Sequence, residues 1–231
     1  MRRTLVVSMA LFAVVNAPAA AQTCLGLPSH ANGQMQVGGA ASFSDVYNSF
    51  GASFGYGQPG SVFGKATLGR TSYDGLDGSA TDIGAQVGYQ MTVGRSAQAS
   101  VCPVASLSLG MGPNDVDAGG TDVSGRQGSI GFAVGKVMGG SPRMQIVPNA
   151  GLGLAYRKDK LDDGTNPAQE NSETYGLASV GVGLIFNSNI AVRPSVSIPL
   201  GSDLSNDPTF GLSVAYNFGT KASPARNARK R

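Results

Sequence analysis

Phe210 to Phe218, F-G-L-S-V-A-Y-N-F, alternates without a break: Phe210, Leu212, Val214, Tyr216 and Phe218 share one parity, Gly211, Ser213, Ala215 and Asn217 the other. Side chains of a strand point in turn to its two faces, so this stretch has one bulky apolar face and one face of small residues. Its length and its terminal aromatics suit a tilted membrane-crossing strand. A strand crosses hydrocarbon only as part of a closed barrel, because an open edge would leave backbone N–H and C=O groups unpaired there. The stretch therefore constrains the rest of the chain to supply the remaining wall.

It does so. Alternating stretches recur at 35–43, 50–56, 62–73, 83–93, 101–111, 130–134, 146–156, 178–186 and 190–200, separated by turn residues. The expected fold class is all-β, a closed antiparallel up-and-down transmembrane β-barrel of about ten strands, with eight as the alternative if one pair is misdrawn. Every second connection is short, such as Gly139-Gly140-Ser141-Pro142-Arg143 and Asn187-Ser188-Asn189. The others, at 74–82, 113–125, 158–173 and 201–208, are longer and, with Asp45, hold all 14 acidic residues. Short periplasmic turns and longer outer loops are the usual barrel asymmetry, so the acidic end is expected to face outward.

Composition agrees. Gly accounts for 34 of 231 residues and charged residues for 13%; soluble domains carry roughly half that glycine and about 25% charge. The alternative, a secreted soluble β-domain with its apolar face turned inward, lacks a charged exterior: the opposite face is mainly Gly, Ala and Ser.

Residues 1–21, with Arg2-Arg3, an apolar run from Leu5 to Val15 and Ala19-Ala20-Ala21, read as a signal peptide for the general secretory route; a retained anchor is the alternative. The expected domains are then 1–21 signal, 22–33 periplasmic leader, 34–218 barrel and 219–231 basic periplasmic tail. The tail holds Lys221, Arg226, Arg229, Lys230 and Arg231 without an acid; setting these and the signal arginines aside leaves ten of 17 bases against 14 acids. Such a tail suits anionic headgroups or the cell wall; nucleic acid is not an expected partner.

An alternating C-terminal strand ending in Phe resembles the closing strand of bacterial outer-membrane β-barrels. The resemblance makes Phe210, Leu212, Val214, Tyr216 and Phe218 the signal read by the barrel assembly machinery, although thirteen residues follow Phe218. The pattern over nearly the whole mature chain resembles the opacity and OmpA-like barrel families. That implies the outer membrane of a Gram-negative-type bacterium, with lipids and lipopolysaccharide as partners, and a structural, surface-contact or adhesion role. A narrow porin-like channel for small solutes is the alternative; oligomeric state is left open.

Few residues offer chemistry. Cys24 and Cys102 are the only cysteines and fall at the same end of the expected barrel, so a disulfide is expected in an oxidising compartment, with two free thiols as the alternative. Lys65, Gln86, Gln90 and Arg193 fall on the inward parity, where they either line an aqueous path or bond to one another and to the leader. His30 is the only histidine and precedes the first strand, so acid/base catalysis lacks its usual imidazole; no catalytic residue, metal or cofactor is expected. Gly38-Gly39 and Gly181-Val182-Gly183 mimic phosphate loops in composition only; in strands they mark close backbone approach. The acids at 115, 117 and 122, and at 159, 162, 163, 170 and 173, match no calcium-binding spacing and read as solvated loops.

Overall fold

A computed structural model describes residues 23–30, 33–58, 62–74, 78–93, 99–115, 121–141, 143–162, 169–203 and 207–219. The expected signal peptide, Gln22 and the tail beyond Gly219 lie outside the described residues. Ten strands form the wall: β1 Met35–Phe43, β2 Tyr47–Gly57, β3 Val62–Tyr73, β4 Ala80–Tyr89, β5 Ala99–Asp115, β6 Thr121–Lys136, β7 Met144–Asp162, β8 Gln169–Phe186, β9 Ile190–Leu200 and β10 Thr209–Phe218. Two short strands, Met91–Val93 and Met138–Ser141, continue β4 and β6 along the same neighbours. Each strand pairs antiparallel with the next, and β1 pairs with β10 from Met35↔Phe218 to Phe43↔Phe210, which closes the ring.

All ten stretches read from the alternation are strands. The two ends differ as expected, and we call them the turn end and the loop end. At the turn end the β8–β9 connection is a type I′ turn: Asn187 and Ser188 have φ of 47° and 62°, and the Asn189 N–H donates to Phe186 O at 3.1 Å. At the loop end one expectation is corrected. Strands β5 to β8 have 17, 16, 19 and 18 residues, against 9 to 12 for the other six. Asp115, Asp122, Asp159, Asp162, Glu170 and Glu173 therefore lie on strands rather than in loops, and a four-stranded sheet rises above the remaining rim.

Parity sorts the side chains. Leu152, Ile130, Leu68, Phe210 and Val180 face away from the axis and are 64%, 67%, 59%, 58% and 56% exposed, values no packed core would show. Exposed aromatics mark both edges of this apolar band, Tyr56, Tyr89 and Tyr216 at the turn end, Phe43, Phe50 and Tyr156 at the loop end. On β7 the band runs from Met144 to Tyr156 before Lys158 and Lys160 take over the outward parity. Twelve steps of about 3.3 Å, tilted about 45°, give a height of roughly 28 Å, close to the hydrocarbon thickness of a bilayer.

Candidate functional site

The inward face divides the lumen into a packed lower part filled by the leader and an open polar upper part. Near the turn end the inward parity carries bulk: Phe63 on β3, Val104 on β5, Val147 on β7 and Ile185 on β8. The leader fills the space between them. Thr23–Leu25 is a single 3-10 turn, and Cys24 is bonded to Cys102 on β5 with their Cα atoms 5.9 Å apart. Leu25 packs on the cluster of Phe63, Cys102 and Ala133, and Leu27 on that of Val147, Ile185 and Ala191.

Glycines in the wall make the seat. A Cβ at Gly135 would collide with the Thr23 carbonyl, one at Gly183 with the Gly26 carbonyl, and one at Gly57 with the His30 ring. Close backbone approach is what glycine in a strand permits. Asn217 on β10 is wholly buried, and its Nδ2 donates to Ser29 O at 2.8 Å and Pro28 O at 3.3 Å while its Oδ1 accepts from Gln36 Nε2 at 2.7 Å. Leader carbonyls taken out of water thus find a donor, as buried carbonyls must. His30 is buried, its Nδ1 3.3 Å from Gly33 O; burial pushes its imidazole below the ordinary range against the pull of backbone bonds to Gly33 and Gln34.

Above the leader lies a cavity of about 810 Å³ that reaches from Leu25 and Leu27 to the loop end. Lys65, Gln86 and Arg193 line it. Arg193 lies against Gly26 of the leader and over Gly181, with Nε and Nη2 donating to Asn149 Oδ1 at 3.0 and 2.8 Å. Gln90 falls between Gly88 and Met91, whose partners on β5 are Val104 and Val101, so its depth is below the cavity floor, level with Cys102. There it is buried and donates to Ser100 Oγ at 3.3 Å.

The mouth is aromatic and charged. Tyr47 and Tyr73 have ring centroids 6.4 Å apart, Tyr47 Oη bonds Thr209 Oγ1 at 3.1 Å, and Gln127 Nε2 donates to Tyr175 Oη at 3.0 Å. Three of the acids there are engaged: Asp159 pairs with Arg157 at 2.6 Å, Asp82 accepts from Thr71 Oγ1, and Glu173 accepts from Ser202 Oγ and the Asp203 N–H. Among the described residues no three His, Cys, Asp or Glu side chains gather as metal ligands. The closing strand carries Phe210, Leu212, Val214 and Tyr216 exposed on the outer face, with Tyr216 stacked on Phe218 at 6.2 Å.

The alternation pattern points to the lumen-facing residues; it does not single out Asn217, Asn149 or the glycine seat. The signal for the seat is the apolar inward bulk at Phe63, Val147 and Ile185 near the turn end, whereas the bulk at the mouth is tyrosine and charged side chains.

Comparison with solved structures finds β-barrels of similar fold. The β domain of the Bordetella autotransporter BrkA superposes with a TM-score of 0.53 at 11% identity, over 81% of this chain and all of that one. The N-terminal β-barrel domain of Pseudomonas aeruginosa OprF gives 0.40 at 15% identity over 81% of this chain and 98% of that one. Ail, the attachment invasion locus protein of Yersinia pestis, gives 0.42 at 13% identity, over 80% and 96%. These are likenesses of fold among outer-membrane β-barrels. No protein-family model matches the sequence, and no curated protein is detectably similar to it.

Proposed function

We propose that this chain is an integral outer-membrane β-barrel with its turn end in the periplasm, and that its role is structural or one of surface contact rather than permeation or catalysis. The membrane placement is supported by the outward band of exposed Leu, Ile, Val and Phe bounded by aromatics, a surface that water would penalise heavily and acyl chains would not. Lipids and lipopolysaccharide would contact that band, and the barrel assembly machinery would receive the closing strand. The sheet of β5 to β8 that rises above the rim supports the surface-contact reading, since it is the part of the wall furthest from the bilayer.

The observation that carries the non-conducting role is the leader seated in the lower lumen, fixed by a disulfide at one end and by β1 at the other. A path for solutes would have to pass through the two buried clusters that contain Leu25 and Leu27. The test is single-channel recording in planar bilayers with the disulfide intact. The full-length barrel is expected to be silent; sustained, resolved conductance steps would refute the role and restore the narrow channel, for which the 810 Å³ upper cavity is already in place.

A further inference from the structure

Lys65 on β3 and Arg193 on β9 reach the same cavity from strands four places apart round the ring. They are close enough for their like charges to repel, and among the described residues no carboxylate acts on Lys65. The ammonium has no hydrogen-bond or ion-pair partner among those residues. Arg193 spends Nε and Nη2 on the neutral amide oxygen of Asn149, and among the described residues its charge has no carboxylate partner and Nη1 is unengaged. Below them Leu25 and Leu27 of the leader pack on the inward clusters. Two half-buried cations with no counter-charge among the described residues are costly, and a shared anion relieves both desolvation and repulsion.

We propose that the lumen binds a small oxyanion, phosphate or a phosphomonoester, between Lys65 and Arg193. The neutral neighbours are donors of the right kind: Gln86 is the cross-strand partner of Lys65, Ser213 that of Arg193, and both line the cavity. An ammonium and a guanidinium edge supply charge-assisted bonds to separate oxygens of one tetrahedral anion. Of the carboxylates that line the mouth, Asp82, Asp159 and Glu173 are engaged with other partners, and none of them acts on Lys65. Space above the cations, up to Tyr47 and Tyr73, leaves room for an ester substituent. The inference rests on the leader-floored lumen described above, yet conductance tests that reading and anion binding tests this one, so either can fail alone.

The experiment is calorimetric titration of the full-length protein, refolded in zwitterionic detergent, with inorganic phosphate and separately with glycerol phosphate. Saturable binding is expected, weakened at least about tenfold in Lys65→Gln and largely retained in Lys65→Arg, the change expected for loss of one charge-assisted bond. Tighter binding of the ester than of inorganic phosphate would assign the upper cavity to the substituent; equal binding would assign the site to the free anion. Lys160→Gln, on the outer face above the apolar band, is expected to leave the affinity unchanged. Absence of saturable binding, equal affinity in wild type and Lys65→Gln, or loss of binding in Lys160→Gln instead would overturn the proposal. Should Lys65→Gln fail to show the heat-modifiable gel shift of a folded barrel, the ammonium nitrogen resonance of Lys65 in the wild type decides: it must move on phosphate addition, and a stationary resonance would overturn the site.

Discussion

Replacing both cysteines by serine, Cys24→Ser with Cys102→Ser, isolates what the disulfide does for the leader. Measured along the chain the bond closes a loop of 78 residues, which in the entropy account would stabilise the whole fold by about 4.5 kcal/mol. In a barrel that stays folded, however, Cys102 and the start of β1 are both fixed in the wall. The loop that matters for the leader is then the stretch of about ten residues from Cys24 to β1, and the same relation gives about 2.7 kcal/mol, or roughly a hundredfold in the open population. Hydrogen exchange read by mass spectrometry is the assay, because it reports local opening separately from global unfolding. Amides of residues 23–30 are expected to exchange about a hundredfold faster in the double variant while those of β1 to β10 remain as slow as in the wild type. Leader amides as protected as before would refute the tether argument, and strands that loosen in step with the leader would refute the view that the wall is independent of it.

Other perturbations bear on separate parts of the account. Asn217→Leu removes the donor to Pro28 O and Ser29 O and strands Gln36, so the leader seat should weaken by about 1–3 kcal/mol, read as faster leader exchange with the barrel still heat-modifiable. His30 is held neutral by burial, so its contribution to seat stability is complete above the ordinary histidine pKa of about 6.5 and is lost as pH falls through the lower folded value. Acidification should therefore lower the protection of the leader amides, taken relative to their pH-dependent intrinsic exchange rates, in the wild type and have no such effect in His30→Gln. Leu152→Arg puts a charge near the middle of the apolar band and should cost about 2–4 kcal/mol in urea unfolding from lipid vesicles, whereas Lys158→Leu, above the band, should cost far less.

What could be read from the sequence, and what could not, follows from one periodicity. Alternation is strict where one face meets a uniform medium, and it is there that all ten strands were legible. It fades where β5 to β8 leave the band: Arg126, Lys158 and Lys160 occupy the outward parity beyond Tyr156, both faces become polar, and the segments resemble loops although they remain paired. The disulfide partners were legible because only two cysteines exist and both fall at the turn end. The leader's seat was not, since it depends on which small residue faces which carbonyl, as at Gly135 and Gly183, and composition does not distinguish those glycines from their neighbours. The depth of Gln90 was not legible for a related reason: parity gives a side chain's face but not its height in the lumen, and the floor of the cavity lies above it.

The most direct test is a scan of nitroxide labels at positions 211 to 216 on β10 in lipid vesicles, comparing collision with oxygen, which concentrates in acyl chains, against a water-soluble nickel chelate. The expected record has period two, with oxygen collisions high at Leu212, Val214 and Tyr216 and low at Gly211, Ser213 and Ala215. The opposite phase, or nickel access at Leu212 and Val214 equal to that of the loops, would contradict a wall that turns its bulky side chains to lipid.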